Sequence, residues 1–106
     1  MAQEFVQAQI KGDKVVVFLK PTCSYCTLAK DVLSKYSFKS GHLEFIDISG
    51  RNNMGAIQDY LQQITGARTV PRVFIGKECI GGGSDVEELD QSGKLKGMLQ
   101  KIGALQ

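Results

Sequence analysis

The segment VVVFLKPTCSYC, residues 15–26, joins the pattern of a buried strand to a closely spaced pair of cysteines. Val15 to Leu19 form a continuous apolar run rich in β-branched residues, which is typical of a strand covered on both faces. After Cys26, apolar side chains recur at helical spacing, at Ala29, Val32, Leu33 and Tyr36. The pair Cys23 and Cys26 is therefore predicted to lie where a strand ends and a helix begins.

Further strands and helices are predicted downstream. LEFIDI, residues 43–48, has the pattern of a second strand, and the spacing of apolar residues 57–64 predicts a helix that ends at Gly66. RVFIGKECI, residues 72–80, has the pattern of two short strands joined by a tight turn at Gly76. Helices are also predicted around residues 5–10, 86–89 and 95–102.

The order of these elements limits the topology. A strand, a helix and a second strand in succession predict parallel strands joined by a right-handed crossover. The hairpin that follows must add at least one antiparallel pair. The predicted fold class is therefore α/β, with residues 1–106 forming a single domain in which helices cover a small mixed sheet.

Composition argues against several classes of function. The formal net charge is +2 and no run of basic residues occurs, which argues against nucleic-acid binding. No apolar stretch is long enough to cross a membrane, and the first residues lack the pattern of a signal peptide. We therefore expect a cytoplasmic protein, in which structural disulfides are rare. Three cysteines, an odd number, also indicate that the Cys23–Cys26 pair is chemical rather than structural.

The start of a helix is a favourable place for a reactive thiol. Its backbone N–H groups are unpaired and carry partial positive charge. Cys23 is therefore predicted to ionise more readily than an ordinary cysteine and to act as a nucleophile. Lys20 either adds positive charge nearby or points to solvent. Cys26 lies one helical turn further on, within reach of a disulfide, and is predicted to be the shielded resolving thiol.

A zinc site is the alternative interpretation of the cysteine pair. Structural zinc usually takes four ligands. Apart from scattered carboxylates, the chain offers Cys79 and His42 as further ligands, and neither belongs to a second close pair. The position of the pair between a buried strand and a helix favours redox chemistry over zinc.

Two further motifs are compatible with peptide binding. TVPRVFIG places Pro71 just before a strand. With a cis bond, the backbone groups of Val70 would turn outward to pair with an extended peptide, whereas a trans bond would be structural only. In IGGGSDVEEL, residues 80–89, the glycines allow close backbone approach, and Ser84 or Asp85 can cap the next helix. That helix start is either a carboxylate site or an ordinary turn.

Together, CxxC, TVP and GG-x-SD in this order and spacing resemble the motifs of the glutaredoxins, the glutathione-dependent branch of the thioredoxin superfamily. The resemblance covers essentially the whole chain, including TGARTVPRVFIGKECIGG and the ending KIGALQ, and is strongest to vertebrate cytosolic dithiol glutaredoxins. It implies a thioredoxin fold, a four-stranded mixed sheet flanked by helices, with a cis bond before Pro71. It also implies an enzyme that uses glutathione to reduce protein–glutathione mixed disulfides and protein disulfides.

The resemblance assigns roles to individual residues. Cys23 matches the catalytic cysteine and Cys26 the resolving one. Lys20 and Gln58 match residues that meet the glycine carboxylate of glutathione, and Val70 matches the residue that pairs with the backbone of its cysteinyl unit. The residues implied to bind glutathione are Lys20, Tyr25, Gln58, Thr69, Val70, Pro71, Gly82, Gly83, Ser84 and Asp85. The last two match residues that hold the γ-glutamyl end.

Four other positions carry narrower expectations. Gln58 is offset from the core face of its helix, so we expect its side chain to reach outward. Cys79 is expected to be a small apolar core residue, and His42 is assigned no role. Some close relatives carry an extra cysteine where Gly83 stands, so one route to regulatory oxidation is missing here.

Ser24 is the main departure from the resemblance, since glutaredoxins of this group more often have proline there. Serine restores a backbone N–H, frees the local backbone and adds a hydroxyl. In the family, CSYC is linked to a [2Fe–2S] cluster between two monomers, to which each contributes its N-terminal active-site cysteine, here Cys23, and two glutathiones add the remaining thiolates. A cluster-bridged homodimer is therefore an alternative to the monomeric enzyme. A protein-disulfide reductase served by a thioredoxin reductase is a third possibility, which the glutathione-site residues disfavour.

Overall fold

Five helices and four strands follow one another along residues 2–106, the part of the chain that the computed structural model describes. In chain order they are α1 Ala2–Gln9, β1 Val15–Leu19, α2 Ser24–Leu33, β2 Leu43–Asp47, α3 Met54–Thr65, β3 Arg72–Ile75, β4 Glu78–Gly81, α4 Gly83–Gln91 and α5 Leu95–Lys101. Every predicted strand and helix is therefore present. No helix in this range is long and apolar enough to cross a membrane.

β1 lies inside a four-stranded mixed sheet with the order β2-β1-β3-β4. It pairs parallel with β2 and antiparallel with β3, and β4 completes the hairpin beside β3. All side chains of β1 are buried, as its continuous apolar run predicts. The predicted mixed sheet is confirmed, although β2 stops at Asp47, one residue before the predicted end at Ile48.

Successive side chains of β1 enter two different cores, because they alternate between the faces of the sheet. Val15, Val17 and Leu19 belong to a cluster formed with α2, α4 and α5. Val16 and Phe18 belong to a second cluster formed with α1 and α3. The sheet is thus covered by helices on both faces, as predicted.

Two apolar positions differ from the helical predictions. α2 ends at Leu33, so Tyr36 lies in the turn beyond it, where its hydroxyl donates to the Asp90 carboxylate and ties this turn to α4. Ile64 is 40% exposed and lies at a cavity beside Phe74 rather than in the core. Helical spacing identifies the apolar face of a helix. It does not show where the helix ends, or how far the neighbouring elements cover that face.

The strand register brings three segments of the chain to one edge of the sheet. Phe18 pairs with Arg72, and Val73 pairs with Gly81, so the end of β1, the start of β3 and the end of β4 lie side by side. α2 and α4 begin next to the same edge, since each follows one of these strand ends. The CSYC, TVP and glycine motifs therefore meet there.

Candidate functional site

A groove of about 340 Å³ lies where the three motifs meet. Its walls are formed by Tyr25, Thr69, Val70, Pro71, Arg72, Gly82, Gly83, Ser84 and Asp85. Eight of the ten residues predicted to bind glutathione are therefore brought together, and Arg72 is an addition. Lys20 and Gln58 lie outside the groove wall.

Cys23 occupies the N-cap position of α2, beside this groove. Its backbone is extended (φ −108°, ψ 120°), and its Sγ accepts a hydrogen bond from the backbone N–H of Cys26 at 3.2 Å. The thiol also lies 3.5 Å from the Val70 carbonyl oxygen, to which it can donate. The Cys26 N–H group and the start of the helix both place partial positive charge beside Sγ.

Cys26 has the opposite environment. It is only 2% exposed. Burial, followed by its hydrogen bond with Cys23, raises the pKa of Cys26 to about 12, against smaller opposing influences from Lys20. Cys26 is therefore a protonated thiol at neutral pH. Both cysteines are free rather than joined by a disulfide.

The first turn of α2 also carries Ser24 and Tyr25, which are both exposed. Tyr25 is 58% exposed and forms one wall of the groove. Its backbone carbonyl approaches the start of α4 so closely that a Cβ atom on Gly83 would overlap the carbonyl oxygen. The expected close backbone approach is thus present at Gly83, where it joins the thiol-bearing helix to the opposite wall.

The Val70–Pro71 peptide bond is cis, as the resemblance implies. Pro71 is buried, whereas Val70 is half-buried and Thr69 exposed. The Val70 carbonyl oxygen lies 3.5 Å from the Cys23 thiol, and its pairing with an extended peptide stays a prediction. The Val70 amide has no hydrogen-bond partner within residues 2–106 and is available to an extended peptide.

Asp85 closes the other end of the groove by capping α4. Gly82 is the N-cap residue, and its backbone N–H donates to Asp85 Oδ2 at 2.8 Å. Asp85 therefore fulfils the capping role predicted for Ser84 or Asp85. Both side chains are exposed on the groove wall.

Gln58 does not behave as its helical offset predicts. It is only 8% exposed, and its Nε2 donates to the carbonyl oxygen of Arg68 at 3.1 Å. Because this amide is used to hold the chain before the TVP motif, the expectation of a free, outward side chain is wrong. Arg68 itself pairs with Asp59 at 3.0 Å.

Arg72 is the groove residue that the sequence argument missed. It is half-buried at the start of β3, and its Nε donates to the Pro71 carbonyl at 3.0 Å. The available signal was an arginine directly after TVP, at the start of an otherwise apolar strand. Charge in the first position of a buried strand is unusual unless it is paired or functional.

The remaining zinc candidates lie apart. Cys79 packs with the α1–α3 core cluster, on the face of the sheet opposite Cys26. His42 is in a loop with its Nδ1 2.6 Å from the Asp13 carbonyl oxygen. Within residues 2–106, no three metal-ligating side chains come together, and the zinc interpretation is not supported.

Comparison with known proteins gives one consistent family. A family model described as Glutaredoxin matches residues 15–80. Glutaredoxin-1 of Rattus norvegicus and that of Homo sapiens are each 62% identical over 106 residues, covering 100% of this chain and 99% and 100% of theirs. A crystal structure of a buckwheat glutaredoxin–glutathione complex has a TM-score of 0.90 and 37% identity, covering 100% of this chain and 94% of that one.

Proposed function

Since the chain belongs to the glutaredoxin family, we propose that Cys23 is the nucleophile of a glutathione-dependent thiol–disulfide oxidoreductase with Cys26 as its resolving thiol. The observation that carries the assignment is the Cys23 Sγ at the N-cap of α2, accepting the Cys26 N–H at 3.2 Å. Cys26 is buried and holds its proton, with a pKa of about 12. One thiol is therefore ready to attack, and the other acts only after a disulfide has formed beside it.

The first step is attack on a protein–glutathione mixed disulfide. The Cys23 thiolate attacks the glutathione sulfur, a Cys23–glutathione disulfide forms, and the protein leaves as its thiolate. The N–H of Cys26 stabilises the attacking sulfur, and the groove holds the glutathione so that the three sulfurs are in line. The protein thiolate takes a proton from solvent.

Two routes restore the enzyme. A second glutathione thiolate attacks the glutathione sulfur of the mixed disulfide, which yields oxidised glutathione and frees the Cys23 thiolate. With a protein disulfide as substrate, the Cys23 thiolate first attacks one of its two sulfurs, which forms a Cys23–protein mixed disulfide and releases the other sulfur as a thiolate. Cys26 then gives its proton to that thiolate or to solvent and attacks Cys23 Sγ, which breaks the mixed disulfide, releases the reduced protein and leaves a Cys23–Cys26 disulfide. Two glutathiones then reduce that disulfide.

The groove provides a place for each part of glutathione. The free amide of Val70 suits the backbone of the cysteinyl unit, and the start of α4 with Ser84 and Asp85 suits the γ-glutamyl end. Tyr25, Thr69, Pro71, Gly82 and Gly83 complete the walls. Lys20 and Gln58 are proposed for the glycine carboxylate, and the Gln58 amide uses one of its two N–H donors on the Arg68 carbonyl.

Coupled turnover assays test this function. The reduced chain should deglutathionylate a peptide with glutathione and glutathione reductase, and should be inactive when thioredoxin reductase replaces them. The reverse preference would favour the protein-disulfide reductase alternative.

Three free thiols in one chain fit a reducing compartment, so we also propose the cytoplasm as the location.

A cluster-binding dimer is the second candidate, and it depends on Ser24. This exposed residue opens α2 next to the half-exposed Cys23, where proline would remove a backbone N–H. Because no group of three metal ligands exists within residues 2–106, one chain cannot hold a cluster alone. Two chains would each offer Cys23, and two glutathiones would complete the sulfur ligands. When bound, the cluster would supply one-electron redox chemistry.

Anaerobic reconstitution with iron, sulfide and glutathione tests the dimer. Visible absorption and an elution volume of a dimer, both lost in Cys23→Ser and reduced in Ser24→Pro, would support it. A colourless monomer, under conditions where a known cluster-binding glutaredoxin turns brown, would exclude the cluster and leave the thiol chemistry intact.

A further inference from the structure

The Thr65 hydroxyl ties the last turn of α3 to the backbone that follows it. Its Oγ1 accepts the N–H of Ala67 at 3.3 Å and donates to the Leu61 carbonyl oxygen at 2.6 Å, the nearer of two carbonyl oxygens within reach. Gly66 ends the helix in the left-handed conformation (φ 87°), and its N–H donates to the Gln62 carbonyl at 2.8 Å. The hydroxyl therefore fixes the direction in which the chain leaves α3.

Arg68 is held on the same helix by two further contacts. Its carbonyl oxygen accepts Gln58 Nε2 at 3.1 Å, and its guanidinium pairs with Asp59 at 3.0 Å. Gln58 is the one buried polar side chain within residues 2–106, and a buried amide that loses its partner is costly. Residues 66–68 thus lie against α3 instead of forming a loose loop.

Thr69 and Val70 form a short bridge between two fixed points. The chain before them is held on α3, and after them Pro71 is buried and β3 begins at Arg72. A bridge of two residues with fixed ends has few conformations. The unpaired N–H of Val70, a residue of the groove wall, is therefore kept in one position.

We propose that Thr65 is a positioning residue, whose hydroxyl holds the Val70 amide in place for an extended ligand without touching that ligand. The inference rests on the proposed function, in which this amide pairs with the cysteinyl unit of glutathione. Thr65 itself lies outside the groove wall. Because a group that is already ordered loses little freedom on binding, a fixed amide binds glutathione more tightly than a mobile one.

Three substitutions of Thr65 separate its hydroxyl from its bulk. Thr65→Val keeps the β-branched shape and removes the hydroxyl, which frees Ala67. We expect it to raise the KM for a glutathionylated peptide by about two- to tenfold. The kcat should not change, because Cys23 and its N–H donor lie on α2. Thr65→Ala should have the same effect, whereas Thr65→Ser keeps the hydroxyl and should retain the wild-type KM.

Ser92 provides a matched control at the end of another helix. Its hydroxyl donates to the Leu89 carbonyl at 3.1 Å, and neither residue belongs to the groove wall. Ser92→Ala should keep the wild-type KM. If Thr65→Val also lowers only the free energy of unfolding and leaves KM unchanged, Thr65 is structural and the proposal is wrong. An equal rise of KM in Thr65→Ser would assign the effect to packing and would equally overturn it.

Hydrogen exchange measured by NMR shows whether the effect is local. In the Cys23→Ser chain, saturating S-methylglutathione should slow the exchange of the Val70 amide, and Thr65→Val should weaken that protection. The Phe74 amide lies within β3 and should exchange at the same rate in both chains. Equal loss of protection at Val70 and Phe74 would indicate a general loss of stability and contradict a positioning role.

Calorimetry keeps this inference separate from the proposed activity. Titration of S-methylglutathione into the Cys23→Ser chain, with and without Thr65→Val, needs no turnover. A Kd that Thr65→Val raises by about two- to tenfold, without deglutathionylation by the wild type, would reject the proposed function alone. Turnover by the wild type with a Kd that Thr65→Val leaves unchanged would reject the role of Thr65 alone.

Discussion

Two cavities of nearly equal volume lie next to a cysteine, and only one of them has the features of a reaction site. The groove beside Cys23 measures about 340 Å³, and a cavity of about 330 Å³ is lined by Cys79 together with Phe74 and Lys77. Both cysteines are half-exposed. The volume is therefore nearly the same at the two places, and neither cysteine is fully buried.

The local backbone makes the difference. Cys23 caps a helix, where a free N–H reaches its sulfur. Cys79 lies within β4, where it pairs with Phe74 in the sheet ladder. The groove also has the unpaired Val70 amide and the start of α4, both of which suit a peptide with charged ends. Backbone donors, rather than volume or the presence of a thiol, distinguish the proposed reaction site from the cavity at Cys79.

Exchange of single cysteines should give the largest contrast between the two places. We expect Cys23→Ser to abolish deglutathionylation, because no other thiol has a helix start beside it. Cys79→Ser should retain full activity. Cys26→Ser should keep deglutathionylation while losing reduction that passes through an intramolecular disulfide. The coupled glutathione reductase assay measures all three, and equal losses in Cys23→Ser and Cys26→Ser would contradict the assigned roles.

Substitution of a glycine tests whether the close approach of α2 and α4 is needed for binding. Gly83→Ala places a methyl group against the Tyr25 carbonyl, so α4 must move away from α2. We expect a loss of about 1–3 kcal/mol in the free energy of unfolding and a rise in the KM for glutathionylated peptide. Gly55→Ala, in open space on α3, is the matched control and should keep the wild-type KM. An unchanged KM in Gly83→Ala would show that the spacing of α2 and α4 does not control binding.

The sequence was sufficient for the fold because its patterns are local. The apolar run of β1, the glycine at the end of α3 and the hairpin turn at Gly76 each specify their own segment, and the α–β order then limits the sheet. The three motifs come together in one groove because the strand ends that carry them meet at the same end of the sheet. The buried position of Gln58 was not predictable from helical spacing, because its bond to the Arg68 carbonyl depends on how the loop after α3 folds back onto that helix. The sequence shows an arginine beside Pro71, but its place in the groove depends on the approach of the Gly82 segment to the start of β3.

The three thiols should differ in their rate of alkylation. The ratio between these rates should be smaller than the factor by which Cys23→Ser lowers activity. At neutral pH and under native conditions, iodoacetamide should modify Cys23 first, then Cys79, and Cys26 last. Cys26 is buried and its pKa is raised to about 12, so it lacks both access and thiolate. Mass spectrometry of timed samples measures the order. Alkylation of Cys79 as fast as that of Cys23 would remove the advantage attributed to the helix start.

The smallest expected effect is a fall in the free energy of unfolding at alkaline pH. It is caused by Cys26 and Tyr36, which both belong to the core cluster on the α2 and α4 face of the sheet. Burial raises the pKa of Cys26 from 9.0 to about 12, and burial with the Asp90 hydrogen bond raises that of Tyr36 from 10.0 to about 12. Below the unfolded values both states keep these protons, so the contribution to stability is complete. Between about pH 9 and 12 the unfolded chain releases them while the folded chain does not, and the free energy of unfolding must fall.

Urea unfolding under reducing conditions, from about pH 8 to about pH 11, measures this fall. Cys26→Ser should make the decline shallower, because it removes the group with the larger difference between states. Tyr36→Phe should do so to a lesser extent, and only at the alkaline end of the range. Cys79→Ser should retain the wild-type slope. All three thiols are free, and each variant removes a single titrating group. The change in the pH dependence of the unfolding free energy therefore shows whether the buried, protonated thiol is Cys26 or Cys79. If Cys79→Ser flattens the profile as much as Cys26→Ser does, the protonated, shielded thiol is not confined to the reaction site, and the contrast between the two cavities fails.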